Sequence, residues 1–247
     1  MGKRLLEDLT FQVPEQSFLF VVGPNGAGKS SLLKCMNGLL PAQTGRVVFA
    51  GEDLLKQSPL ARARTMALMP QVVEGPIHMT GEAYVSLARF PHQPFRFSLS
   101  SRDRSVVRQC MQGTDTLSLA HRRLDTMSGG ERQRIFLAAA LAQETDILLL
   151  DEPTASLDPV HADHLLSLLH HAIREEGKTV VMVSHDINQS ALSGTHTLAL
   201  KQGRQVYFGL SASFLAPEPL AAVFEKSFTL VTHPNRPCPL ILQGYVP

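Results

Sequence analysis

The chain is poor in cysteine, and the few it has form no pattern. Cys35, Cys110 and Cys238 are three in 247 residues, with no CxxC pair among them. This excludes a disulfide framework and points to a reducing compartment. An excess of charge is missing too: 23 Lys and Arg stand against 22 Asp and Glu, a formal net charge of +1. No global field then gathers nucleic acid, which is not expected as a partner, or an anionic membrane surface, and any partner is recognised locally. Apolar runs such as Phe18-Leu19-Phe20-Val21-Val22 and Ile147-Leu148-Leu149-Leu150 fall far short of the ~20 residues that cross a bilayer. Met1-Gly2-Lys3-Arg4 leads into Glu7 and Asp8 instead of an apolar segment, so no secretory signal is expected. These absences predict a soluble, cytosolic protein. Repeats and low-complexity tracts are lacking as well, and Pro234-Asn235-Arg236-Pro237-Cys238-Pro239 reads as a turn-laden tail.

What is present suffices for a core. Hydrophobic residues make up 44% and charged residues 18%, with 17 glycines and 16 prolines, ordinary proportions for a globular chain of one large domain or two small ones. Apolar β-type runs alternate with helical patterns, the mark of a parallel sheet covered by helices. Strands are predicted at 18–22, 147–150 and 179–183, and helices at 29–36, 129–142 and 159–175. In the last helix Leu165, Leu168, Leu169 and Ile173 recur at the spacing of one buried face. Its histidines, His161, His164, His170 and His171, read as a solvated face. Between Gln71 and Ser128 strand character gives way to short helical pieces, which reads as an inserted helical subdomain.

Gly23-Pro24-Asn25-Gly26-Ala27-Gly28-Lys29-Ser30 satisfies GxxxxGK[ST] between a predicted strand and a predicted helix. This is a phosphate loop: glycines let successive N–H groups turn inward, and the helix adds the positive end of its dipole. Lys29 is expected to reach the β- and γ-phosphates and Ser30 to ligate Mg²⁺. Farther on, Asp151 and Glu152 end a wholly apolar strand, at the edge where parallel sheets bind ligands. Phosphoryl transfer gives two such acids a purpose, Asp151 holding the Mg²⁺ shell and Glu152 orienting or deprotonating the attacking water. Between these motifs, Ser128 and Glu131 in Met127-Ser128-Gly129-Gly130-Glu131-Arg132-Gln133-Arg134 have capping-box spacing, so a helix begins there with glycines beside its exposed N–H groups. Structurally this is a capped helix; functionally it is a second anion site.

The order GPNGAGKS, Gln71, SGGERQR, LLLDEP, Ser156-Leu157-Asp158 and His185 resembles the nucleotide-binding subunit of ATP-binding-cassette transporters along nearly the whole chain. The resemblance implies an α/β fold, a P-loop NTPase (RecA-like) core with N-terminal antiparallel β elements and an inserted helical subdomain. It divides the one domain, 1–247, into a core at about 1–80 and 145–210, a helical subdomain at about 81–144 and a C-terminal extension at about 211–247. It implies ATP and Mg²⁺ as cofactors. Gly23, Pro24, Asn25, Gly26, Ala27, Gly28, Lys29, Ser30 and Ser31 then cradle the nucleotide, and Ser30, Gln71 and Asp151 attend the metal. Glu152, His185 and Gln71 carry hydrolysis. Ser128, Gly129 and Gly130 resemble the signature loop that contacts the γ-phosphate held by the opposite subunit, and Asp158 resembles the residue that communicates across that dimer.

The implied partners are a second copy, integral-membrane permease subunits and, indirectly, a substrate-binding protein, with the chain peripheral on the cytoplasmic face of the inner or plasma membrane. Ala88-Arg89-Phe90-Pro91-His92, Ala142-Gln143, His185-Asp186-Ile187-Asn188, Val223-Phe224 and Thr232-His233-Pro234 are similar to bacterial ATPases serving iron–siderophore, haem and vitamin B12 importers. Departures are few. Gln16 stands where the family has a turn glycine, Met127 where it has leucine, and Glu131 where many relatives have glutamine. Aligning Leu5–Phe11 with the family's second strand places the adenine-stacking aromatic at or before Met1, so no base-stacking residue is named. A non-transport cassette ATPase, such as an iron–sulfur cluster assembly factor, is the alternative reading. A nucleotide-gated module without turnover is a third, against which the intact Lys29, Glu152 and His185 argue.

Overall fold

The computed structural model describes residues 5–71, 73, 75–93, 98–234 and 238–242. In chain order they form β1 (Phe18–Val22), α1 (Lys29–Asn37), β2 (Val48–Phe49), β3 (Glu52–Asp53), α2 (Pro59–Thr65), β4 (Met66–Met69), α3 (Gly81–Leu87), α4 (Ser101–Gly113) and α5 (Gly129–Ala142). There follow β5 (Ile147–Asp151), α6 (Pro159–Arg174), β6 (Thr179–Val183), α7 (Ile187–Ser193), β7 (His196–Lys201), β8 (Arg204–Leu210), α8 (Ser211–Phe214), α9 (Pro217–Phe224), β9 (Thr229–Thr232) and β10 (Pro239–Leu242). β1 and β6 have the limits the sequence predicts, and β5 runs one residue farther, through Asp151.

The central sheet has the order β4-β5-β6-β1-β7-β8, parallel but for the antiparallel β7–β8 pair. Its inner strands are largely apolar, β1 at every position, because both faces are covered. Leu19, Val21, Leu149, Val181 and Val183 pack on one side with Leu32 and Leu33 of α1. Phe18, Phe20, Leu148, Leu150, Val180 and Met182 pack on the other with Ile135 and Leu137 of α5 and Leu165, Leu169 and Ile173 of α6. α1 leaves β1 toward β4 and β5, whereas β7 lies on β1's opposite side. The order therefore switches at β1, and beyond the carboxyl end of such a strand is where open parallel sheets bind ligands. The antiparallel elements expected toward the N-terminus are the β2–β3 hairpin.

Three local expectations change. Leu5–Phe11 forms no strand; its backbone meets the β7–β8 turn, Glu7 N donating to Gly203 O at 2.8 Å. The base-stacking position, at or before Met1, lies outside the described residues. Of the tail, 235–237 also lie outside them, but the flanking residues form a hairpin, β9 against β10. It docks on α7 because Asn188 imitates a strand edge: Nδ2 donates to Ile241 O at 2.9 Å and Oδ1 accepts Ile241 N at 2.7 Å. The α6 histidines are not one solvated face. His161 meets Asp158 at 2.6 Å, His164 meets Asp115 at 3.0 Å, and His170 sets its ring edge on Phe18 at 5.5 Å. At 100° per residue, His170 flanks the buried Leu169–Ile173 stripe and is drawn toward the sheet.

Gln16 has φ +52°, the left-handed region that the family's glycine reaches without steric cost. Gln16→Gly is therefore expected to stabilise the chain by about 0.5–1 kcal/mol, the relieved strain exceeding the added unfolded-state entropy. Urea unfolding checks this; a lower midpoint contradicts it.

A buried ion pair joins the end of α3 to α4 and α5. Arg89 Nε donates to Asp103 Oδ1 at 2.9 Å, each side chain 3% exposed, and Arg89 Nη1 reaches Ala142 O at 2.6 Å and Glu144 at 2.8 Å. Burial alone pushes the Asp103 carboxyl up, but hydrogen bonds from Ser100 and Arg89 outweigh it and hold the group below the ordinary carboxylate value. Asp103→Asn should lower stability by about 2–3 kcal/mol at neutral pH, since a charge-assisted bond to a buried guanidinium is lost. The folded-state pKa being depressed, that contribution is present above the unfolded pKa and disappears as pH falls through the folded one. The gap between the two proteins in denaturant midpoint should thus close below about pH 4.

Candidate functional site

Residues 23–31 run from the end of β1 into the first turn of α1 at the sheet's switch point. Gly23 has φ +142°, and a Cβ there would lie 2.1 Å from Leu200 O of β7, so only glycine lets the loop leave between two strands. Gly28, at φ +99°, is the N-cap of α1 and brings no side-chain cap. The first-turn N–H groups are thereby left for an anion. Asn25 and Gly26 form the exposed crest, and Ser31 sits half-buried in the first turn. Lys29, 6% exposed, lays its ammonium across the loop, donating to Gly23 O at 2.8 Å and Pro24 O at 3.1 Å. Burial lowers its pKa, opposed by the charges of Glu152 and Asp151.

Asp151 and Glu152 reach the same edge from β5. Ser30 Oγ donates to Asp151 Oδ1 at 3.1 Å, bringing together two residues 121 positions apart. Burial pushes the Asp151 carboxyl above its ordinary value; Glu152 adds to the rise, while the Ser30 bond and the Lys29 and Lys34 charges oppose it. Glu152 has φ +52°, a conformation a non-glycine residue adopts at a cost. Its N–H donates to Val183 O at 3.2 Å, so the end of β6 receives it. Gln71 Nε2 donates to Glu152 Oε2 at 2.7 Å, and His185 Nε2 lies 2.5 Å from Oε1. His185 follows β6 in a turn held by Ser184, whose Oγ accepts Asp186 N at 3.1 Å. The structure thus joins Lys29, Ser30, Asp151, Glu152, Gln71 and His185 in one cluster.

Ser128, Gly129 and Gly130 stand apart from it. Ser128 and Glu131 complete the capping box, Oγ accepting Glu131 N at 3.2 Å and Glu131 Oε2 accepting Ser128 N at 2.8 Å. The Ser128 N–H, its hydroxyl and Arg122 hold the Glu131 carboxyl below its usual range against desolvation. Ser128 and Gly129 are exposed, and among the described residues no hydrogen bond links the three to residues 23–31. Asp158 also faces solvent, as N-cap of α6, accepting His161 N at 3.0 Å; its hydrogen bonds with His161 hold its carboxyl low.

Sequence reading missed Gln133. Buried on α5, it donates from Nε2 to Glu152 O at 2.5 Å and accepts Ser156 N at 3.0 Å. A glutamine on the core side of an alanine-rich helix is a local signal, but its partners are visible only in the fold.

Comparison with known proteins agrees with this geometry. The ABC transporter family model matches residues 6–155. The chain is 37% identical over 238 residues to the iron(3+)-hydroxamate import ATP-binding protein FhuC of Bacillus subtilis, covering 96% of this chain and 88% of that protein. It is 38% identical over 246 residues to the hemin import ATP-binding protein HmuV of Pseudomonas fluorescens, covering 98% and 94%. Among solved structures, a putative metal-chelate type ABC transporter in an inward-facing conformation superposes with TM-score 0.80 at 28% identity, covering 96% of this chain and 90% of that one. A dimeric, post-hydrolysis state of the ATP-binding cassette MJ0796, bound to ADP and Pi, gives TM-score 0.77 at 27% identity, covering 85% and 94%. A glycine cradle at the switch point, two strand-end acids and this breadth of likeness have one explanation: the chain belongs to the ABC transporter family, as one of its ATP-hydrolysing cassettes.

Proposed function

We propose that two copies of this chain bind and hydrolyse Mg²⁺-ATP between them, and so drive membrane-integral permease subunits that import an iron chelate, haem or cobalamin. The convergence of Gln71 and His185 on Glu152, beside the Lys29 loop, carries the reading. Asp151 and Ser30 offer hard oxygen donors 3.1 Å apart, the donor chemistry Mg²⁺ prefers, and Gln71 adds a side-chain oxygen. Held by Ser30, Asp151 and Gln71, such an ion would supply positive charge to offset that of the nucleotide's phosphates. Lys29 turns its ammonium from the loop carbonyls to the phosphates, and residues 23–31 direct backbone N–H groups at them. Glu152 accepts a proton from the attacking water, while His185 and Gln71 hold that water and the γ-phosphate in line.

The Ser128-Gly129-Gly130 tip, exposed at Ser128 and Gly129, supports a dimer, since the phosphate loop serves the chain's own nucleotide and leaves this second N-terminal anion site for a twin's γ-phosphate. Asp158, two residues beyond the Ser156 that lies against Gly129 and Gly130, carries the signal between copies. The division into core (1–80, 145–210), helical subdomain (81–144) and C-terminal extension (211–247) is supported by the packing of α3, α4 and α5 on one another. Among the described residues no helix is long and apolar enough to cross a membrane, which suits a peripheral subunit on the cytoplasmic face, contacting a substrate-binding protein only through the permease. The named relatives are import subunits and do not favour an iron–sulfur assembly factor.

Uptake by cells lacking the gene, measured for iron–siderophore, haem and cobalamin in parallel, tests the reading. Loss of one cargo is the expected result. Unchanged uptake of all three, or no turnover of Mg²⁺-ATP with the membrane partner present, overturns it.

A further inference from the structure

We infer that Gln133 is a positioning residue for hydrolysis: it holds the Glu152 backbone in its left-handed conformation and ties that conformation to the helix that Ser128 begins. The inference rests on Glu152 as proton acceptor. A glutamine is costly to bury unless both ends of its amide are satisfied, and Gln133 is 6% exposed among Ile135, Phe136 and Leu137. Both ends are satisfied by one turn of chain. Nε2 must face Glu152 O and Oε1 must face Ser156 N–H, because the first partner only accepts and the second only donates. The amide therefore staples the turn 152–156 shut from below, alongside the Ala155 N to Glu152 O bond at 3.2 Å.

That turn is where strain is stored. Glu152 at φ +52° costs about 1–2 kcal/mol for a residue with a Cβ, and relaxation toward a negative φ would swing the carboxylate away from Gln71 and His185. Among the described residues Gln133 hydrogen-bonds neither the carboxylate nor the loop 23–31, so it acts through the turn that carries Glu152. Its place on α5 adds a second property. It lies five positions after Ser128, roughly 7.5 Å along the helix axis, and Gly130 allows close approach on the same side: a Cβ there would lie 2.9 Å from Ser156 O. A shift of the Ser128 tip is thus passed to Glu152 through a single side chain bonded at both amide ends.

The test uses the full chain with two variants, Gln133→Leu, which removes both bonds at similar volume, and Gln133→Glu, isosteric but unable as a carboxylate to donate to Glu152 O. Each should lower kcat about tenfold or more, since small misplacements of a catalytic group are expensive. KM for ATP and the ATP-induced thermal shift should stay within about twofold, because the cradle is untouched. A kcat within twofold of wild type in either folded variant, or KM rising in step with the lost kcat, overturns the inference. Should the leucine variant fail to fold, the glutamate variant decides. Glu152→Gln run alongside separates the two levels: if it keeps turnover, the proton-acceptor reading fails, and if it is inactive while Gln133→Leu is unimpaired, only the positioning role falls.

Discussion

Glu152→Gln is expected to lower steady-state ATP hydrolysis by about 10³-fold and to leave ATP binding within a few-fold, because the proposed general base is removed without loss of shape. The amide can keep one bond to Gln71 or to His185, which now bracket the carboxylate at 2.7 and 2.5 Å, so the surroundings persist while the proton acceptor does not. Glu152 is poised for this role by its setting. It is 9% exposed, one residue beyond the Asp151–Ser30 pair, and turned by its positive φ toward residues from β4's exit and β6's exit together. Phosphate release read beside the ATP-induced thermal shift gives both quantities on one sample. Turnover within tenfold of wild type would move the proton acceptor elsewhere.

Lys29→Ala should be comparably damaging by a different route, lowering kcat/KM by about 10³-fold through lost phosphate binding. The ammonium is buried and its pKa is depressed by that burial despite Asp151 and Glu152 nearby, so it is poorly hydrated and gains more from a triphosphate than an exposed lysine does. Without it, the N–H groups of the loop and the end of α1 remain, but no mobile full charge does. Wild type at ATP one hundred times Kd gains about 2.7 kcal/mol of stability, whereas Lys29→Ala at the same concentration should gain almost none. An undiminished thermal shift in the variant would show that the backbone cradle alone holds the nucleotide.

These two variants act on residues that are legible one-dimensionally. The phosphate loop is contiguous, and Asp151-Glu152 closes an apolar run, so local spacing exposes both. Ser128 and Glu131 are equally plain as a capping box. Less of the sheet is legible: Met66–Met69 is built of residues that favour helices as readily as strands, and short buried runs have no period to tell the two apart. The hairpin β9–β10 is hidden for another reason, since prolines surround it and its stability comes from Asn188, some fifty positions earlier. Gln16 breaks a local rule at φ +52°, and only its neighbours in space, Thr179 through a 3.1 Å bond to its N–H, make that tolerable. His170 differs from its three helix neighbours because Phe18 is beneath it.

By itself, then, the order of residues determined much of the chemistry available: a glycine cradle with its lysine, two strand-end acids and a capped serine tip are each written in a few adjacent letters because turns, caps and buried strands are short-range steric facts, whereas Gln71 and His185 stand out only through the family resemblance. Tertiary structure alone decided which of these meet. It placed Ser30 on Asp151, aimed Gln71 and His185 at opposite oxygens of Glu152, left Ser128 facing outward, and put Gln133 beneath the turn that carries the acid. The reason is that parallel strands end together on one edge however far apart they lie in the chain, and that convergence is a property of packing rather than of any local run of sequence.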